Sequence, residues 1–189
     1  MSSIYLDVPY ISQTGDPTGC WYASTCMVGY YFEAGPRLGN PDMYKRVLGT
    51  DAAGRPLLGH FAISGEAEKR WLANEHLEVV PVPPSKAWTG NDIALLLRQY
   101  GPLCVSWFKT ANGSTYGHVS VIVGYDENPK EVIIHDPENR PRWRQKLADF
   151  NKTFMWGDPR PLVRRSGPAM QQRTVTDLPP IGPLLPTSP

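Results

Sequence analysis

Cys20 stands where a turn gives way to an apolar run. The stretch Gln13-Thr14-Gly15-Asp16-Pro17-Thr18-Gly19 is rich in Gly, Asp and Pro, whereas Trp21 to Phe32 holds no Pro and a single Gly and can be helical. A cysteine at the first position of a helix meets unpaired backbone N–H groups and the positive end of the helix dipole. Both favour the thiolate, the form that is nucleophile and metal ligand. A base to serve it is offered by Gly117-His118-Val119, and a carboxylate to orient that base by Asp136. Gln13 supplies a side-chain amide upstream. A thiolate that adds to an amide carbonyl builds an oxyanion, and one N–H donor aimed at it is worth about 2.7–4 kcal/mol of barrier.

These residues need elements that bring them together. The run from Cys20 to Phe32 is apolar on nearly every side, which predicts a central buried helix ended by Gly35-Pro36. Ile4 to Ser12 reads as a short edge strand leading into the Gln13 loop. Ser64 to His76 and Gly90 to Tyr100 carry apolar groups at helical spacing, the latter with Thr89 as cap and Gly101-Pro102 as stop. Leu77 to Val82, Leu103 to Phe108, His118 to Tyr125 and Glu131 to His135 read as strands. Pairing Tyr125 with Glu131 sets His118 opposite Glu138 and Asp136 opposite Ser120. His118 and Asp136 are then diagonal neighbours on one face, about 7–8 Å apart at the backbone. Val119, Val121, Val123 and Tyr125 would line the other face. In this arrangement the carboxylate accepts Nδ1–H of His118, and Nε2 takes the proton of Cys20. A short helix or loop is expected over Gln145 to Phe154 and an edge strand at Pro161 to Val163. The region Arg37 to Ile63 carries one or two helical turns around Pro41 to Leu48.

The remaining composition excludes several classes of function. A chain of 189 residues with formal net charge +1 gives no reason to expect a nucleic-acid partner. No apolar run is long enough to span a bilayer, and the first residues lack the pattern of a secretory signal. The expectation is a soluble protein, cytoplasmic as made. Three cysteines form no CxxC pair and suggest neither zinc nor a disulfide framework, so Cys26 and Cys104 read as buried hydrophobes. A metal site on His135 and Asp136 is disfavoured because successive strand residues face opposite ways. Residues 1–165 form the expected domain, and the Pro-rich segment 166–189 a tail or docking arm.

Gln13, Cys20-Trp21, Gly117-His118 opening a strand and Asp136-Pro137 ending the next together resemble the papain-like cysteine peptidases. The similarity is greatest to the compact bacterial branch of AvrRpt2-type and C39-like enzymes, over about Ile4 to Pro137. The resemblance implies an α+β fold, with a helical first half that starts on the nucleophile and an antiparallel β second half that carries the His and the acid. It would make Gln13 the oxyanion-hole residue, Cys20 the nucleophile, His118 the base and Asp136 the orienting acid, with no cofactor. Papain itself has Asn in the place of Asp136 and a Cys-Gly-Ser-Cys-Trp signature that this chain lacks. The branch further implies a bacterial effector or toxin, exported by a route other than the general secretory signal, that acts on a protein or peptide. The same acyl-thioester chemistry serves amidases, deamidases and transglutaminases, and a non-enzymatic binding module with docking through the Pro-rich tail is the remaining alternative.

Overall fold

The computed structural model describes residues 3–16, 18–32, 46–59 and 65–165. In chain order the elements are β1 (Ile4–Tyr5), α1 (Cys20–Phe32), β2 (Arg46–Thr50), β3 (Pro56–Gly59), α2 (Gly65–Asn74) and β4 (Leu77–Val79). They continue with α3 (Gly90–Tyr100), β5 (Leu103–Ala111), β6 (Ser114–Asp126), β7 (Glu131–Asp136), β8 (Arg140–Lys146), α4 (Leu147–Thr153) and β9 (Leu162–Arg165). The expected Gly35-Pro36 helix stop, the Ser64 cap and the Pro-rich tail lie outside the described residues. So does most of the helical turn expected at Pro41 to Leu48, whose last residues belong instead to β2, paired antiparallel with β3.

The architecture is α+β. Seven strands form one antiparallel sheet in the order β4-β9-β5-β6-β7-β8, with β1 on the flank of β6 beyond the start of β5. The sheet buries both faces, and strand alternation decides which residue goes where. Cys104, Val121, Val123, Ile133 and Val163 lie under α1 with Trp21, Met27 and Val28. Leu103, Val105, Trp107, Ile122, Ile134 and Leu162 face the other way, onto Ile93 and Leu97 of α3 and Phe150 of α4. Helix α1 has buried residues on nearly all sides, as its composition requires of a central helix. A buried relay closes it against α2: Trp71 Nε1 donates to Thr25 Oγ1 (2.7 Å), which donates to Trp21 O (2.8 Å). Helix α3 begins in a capping box. Asp92 N donates to Thr89 Oγ1 (3.2 Å) and Thr89 N to Asp92 Oδ2 (2.9 Å).

Two expectations need correction, and strand extends over two stretches where none was expected. Strand β9 is interior, between β4 and β5, and not an edge; Leu162 and Val163 are buried because both neighbours are in place. Arg140–Lys146 is a strand, β8, at the true edge; its alternating Arg and Lys side chains hide it from an apolar pattern. Strands β5 and β6 run beyond the expected Phe108 and His118 to a two-residue Asn112-Gly113 turn, with φ of 50° and 77°. Finally, Tyr125 pairs with Val132 rather than Glu131, one residue out of the expected register. A bulge at Val123 then absorbs the difference, so that Ile122 faces Ile134 and Val121 faces His135, as the expected register requires beyond that point. The bulge also turns Tyr125 to the α3 face, away from Val121 and Val123. A Cβ at Gly90 would lie 2.1 Å from the Tyr125 hydroxyl, which is why α3 opens on glycine.

Candidate active site

Cys20 is the first residue of α1, so its N–H has no acceptor within the helix. Two tight turns lead into it: Asp16 N donates to Gln13 O (2.8 Å) and Gly19 N to Asp16 O (3.2 Å). Gln13 Nε2 donates to the same Asp16 carbonyl (3.1 Å), so the Gln13 amide and the residue before Cys20 converge on one acceptor. Gln13 is buried, and its Oε1 has no hydrogen-bond partner among the described residues. The entry loop is fastened to the end of β7. Gln13 N donates to Pro137 O (2.9 Å), Tyr10 Oη to Asp136 O (3.0 Å) and Ser12 Oγ to Asn139 Oδ1 (2.7 Å). Those bonds join the loop that carries Cys20 to the turn that follows Asp136.

His118 and Asp136 meet on the face that the corrected register provides, with Nε2 2.7 Å from Asp136 Oδ1. Cys20 lies close enough to His118 to raise its pKa. With Nε2 committed to the carboxylate, Nδ1 is the nitrogen left for the thiol. That reverses the expected assignment of the two ring nitrogens while keeping the order thiol, imidazole, carboxylate. Both His118 and Asp136 are buried. Burial pushes the imidazole down, but the hydrogen bond to Asp136 and the charge at Cys20 outweigh it, and His118 is raised from 6.5 to about 9. Asp136 moves the other way. Burial would raise it, yet the hydrogen bonds from His118 and Lys109 lower it to about 2.

A second layer surrounds this pair. Lys109, buried on β5, places Nζ 2.5 Å from Asp136 Oδ2 and 2.5 Å from Glu138 Oε2. Asp136 Oδ1 also accepts from Glu138 N (3.0 Å), so the carboxylate is held at both oxygens. Tyr116 Oη donates to both oxygens of Glu138 at 3.1 and 2.9 Å. Burial resists ionisation of Glu138, but the bonds from Lys109 and Tyr116 lower it overall. Burial and then Glu138 push Tyr116 up to about 12, so it remains a donor. Trp107 and Tyr116 both meet the His118 ring edge to face, at 5.6 and 5.9 Å, and Trp107 stacks on Trp143. The imidazole is held in plane by two aromatic rings.

His118, Asp136 and Glu138 bring one ligand atom each within 4.8 Å of the others, a spacing that would suit a cation. The cation among them is the Lys109 ammonium, which satisfies both carboxylates. His135 belongs to the opposite face, as the alternation predicts. Its Nε2–H donates to Val8 O (3.0 Å) and its Nδ1 accepts from Arg142 N (3.0 Å), so both nitrogens serve the backbone. Burial, its leading influence, lowers its pKa. Cys26 and Cys104 are buried and unbridged, and Cys20 is partly exposed.

The structure thus brings Cys20, His118 and Asp136 together and folds Gln13 against the turn before Cys20. Sequence reasoning overlooked Lys109 and Tyr116 and read Glu138 only as the residue opposite His118. Strand alternation carried a usable signal, because Val105, Trp107 and Lys109 share a face on β5, as do Tyr116 and His118 on β6. Among the described residues no helix is long and apolar enough to cross a membrane. A family described as the papain-like cysteine protease AvrRpt2 matches residues 2–155, which include Gln13, Cys20, Lys109, Tyr116, His118, Asp136 and Glu138. The chain belongs to this family of papain-like cysteine peptidases.

Proposed function

We propose that this peptidase hydrolyses peptide bonds through Cys20, His118 and Asp136, with Gln13 in the oxyanion hole. The observation that carries the reading is the buried His118, hydrogen-bonded to Asp136 and with Cys20 near enough to raise its pKa. Asp136 holds Nε2 protonated, so Nδ1 takes the thiol proton and a thiolate–imidazolium pair results. The thiolate adds to the scissile carbonyl carbon. The resulting oxyanion is met by the free N–H of Cys20 and by the Gln13 amide, whose second N–H remains when the first is on Asp16 O. His118 then gives its Nδ1 proton to the leaving amine, and a thioester forms. Water, deprotonated by the same nitrogen, hydrolyses the thioester and regenerates the thiol.

The test uses an unfolded protein such as casein and mass spectrometry of the products. Cys20→Ala is expected to abolish cleavage with thermal unfolding unchanged, and retained cleavage would overturn the assignment. A substrate-free companion measures alkylation of Cys20 by iodoacetamide. Comparison with Cys26 and Cys104 is uninformative because both are buried. The informative comparison is with His118→Gln, in which Cys20 should react more slowly at neutral pH.

A further inference from the structure

We propose that Lys109 is a positioning residue that holds the Glu138 carboxylate off His118 and so reserves Nδ1 for Cys20. The proposal rests on the triad reading above and adds a residue to it. His118 lies between two carboxylates, not one: Asp136 Oδ1 is at Nε2 (2.7 Å), and Glu138 Oε1 is 3.9 Å from Nδ1. The second separation is an approach without a hydrogen bond. An imidazolium Nδ1–H has two anionic acceptors within reach, the Cys20 thiolate and Glu138. If Glu138 took that proton as acceptor, the thiolate would lose its partner.

What stops Glu138 is visible in its other bonds. Lys109 Nζ holds Oε2 at 2.5 Å, and Tyr116 Oη donates to both oxygens. The same ammonium holds Asp136 Oδ2, so one buried cation spans the two carboxylates and keeps them from competing for the same ring. Such a cation is not required to orient Asp136, whose Oδ1 is already fixed by His118 and by Glu138 N. Its distinctive effect falls on Glu138, which is partly exposed and whose carboxylate is otherwise met by the neutral Tyr116 hydroxyl. Among the described groups that face His118 are Cys20, Asp136, Glu138, Tyr116 and Trp107, and Glu138 is the one that bears charge, lies near Nδ1 and serves no step of the reaction.

The experiment is the rate of Cys20 alkylation by iodoacetamide against pH, mapped by mass spectrometry, in the full chain. Lys109→Met is expected to slow alkylation at pH 7 by about tenfold and to move the profile toward higher pH by about one unit. Adding Glu138→Gln to Lys109→Met should restore the rate and profile of Glu138→Gln alone within about threefold. A double variant as slow as Lys109→Met would show that Lys109 acts on the fold or on Asp136, and would overturn the proposal; so would a Lys109→Met rate equal to the wild type. If Lys109→Met does not fold, Lys109→Gln, which keeps a donor without the charge, is compared with and without Glu138→Gln under the same criteria. The wild type against His118→Gln is run alongside. Equal rates there would remove the Cys20–His118 pairing itself, whereas a slower His118→Gln with no recovery in the double variant removes only the role of Lys109.

Discussion

Replacing Asp136 by Asn tests the proposed triad at its carboxylate. Asp136 is fully buried and accepts at both oxygens: Oδ1 from His118 Nε2 and Glu138 N, Oδ2 from Lys109. An amide has one acceptor oxygen. With that oxygen on His118, the new NH2 faces the Lys109 ammonium, donor against donor; turned over, it faces Nε2 and forces the proton onto Nδ1, the nitrogen that must accept from Cys20. The rise of His118 from 6.5 to about 9 corresponds to about 3 kcal/mol in favour of imidazolium. Asp136 shares that with Cys20, so its loss should reduce the thiolate–imidazolium pair by between about tenfold and a hundredfold. The assay is alkylation of Cys20 at pH 7, with the alkaline limb read from peptide cleavage, which needs the imidazolium proton for the leaving amine. In the wild type the pair exists only while His118 is protonated and is lost as pH rises through about 9. In Asp136→Asn that limb should fall toward 6.5 or below, because burial then acts with less opposition. A rate within about threefold of wild type, with the limb unmoved, would refute the claim that Asp136 sets the basicity of His118.

The same two shifts make stability depend on pH. His118 is raised when folded, so its contribution is complete below 6.5 and lost as pH rises through about 9; Asp136 is lowered, so its contribution is complete above 3.8 and lost as pH falls through about 2. Resistance to thermal unfolding should therefore be greatest between pH 3.8 and 6.5 as far as these two groups are concerned, and its fall on the alkaline side should flatten in His118→Gln. Away from the site, Thr25→Val strands the Trp71 N–H that Thr25 accepts inside the core. It should cost about 1–3 kcal/mol in urea unfolding, and no change would mean that the relay contributes nothing.

The groups that sequence reasoning located share one property: their surroundings announce them locally. Cys20 follows a Gly/Asp/Pro turn and opens an apolar run, and His118 and Asp136 lie on strands joined by a short turn. Alternation alone placed His118 and Asp136 on one face and His135 on the other. What was missed depends on partners distant in the chain. Lys109 reads as a solvent residue until Asp136 and Glu138, 27 and 29 positions later, give its charge a reason to be buried. Strand β8 alternates charge rather than apolar bulk, because it is an edge. The interior place of β9 depends on strand order, which no local pattern encodes. The choice between the nitrogens of His118 depends on the direction from which the imidazole approaches Asp136, and residue types do not carry it.

The bulge at Val123 gives the sheet one residue of slack between its two ends. Toward the turn, β6 and β7 keep one register; toward His118 and Asp136 they keep another. Gly124, beside the bulge, has no side chain to block β1, whose Ile4 carbonyl would lie 2.7 Å from a Cβ there. A change of one residue in the turn can thus be taken up at Val123 without reaching the site, as a hem takes up cloth. Between Val123 and His118 there is no such allowance. A residue gained there turns His118 to the face of α1 and presents Val119 to Asp136, and a residue lost presents Gly117. The hairpin is therefore free to vary at its tip and fixed in count at its base, and the boundary between the two regimes is a single valine.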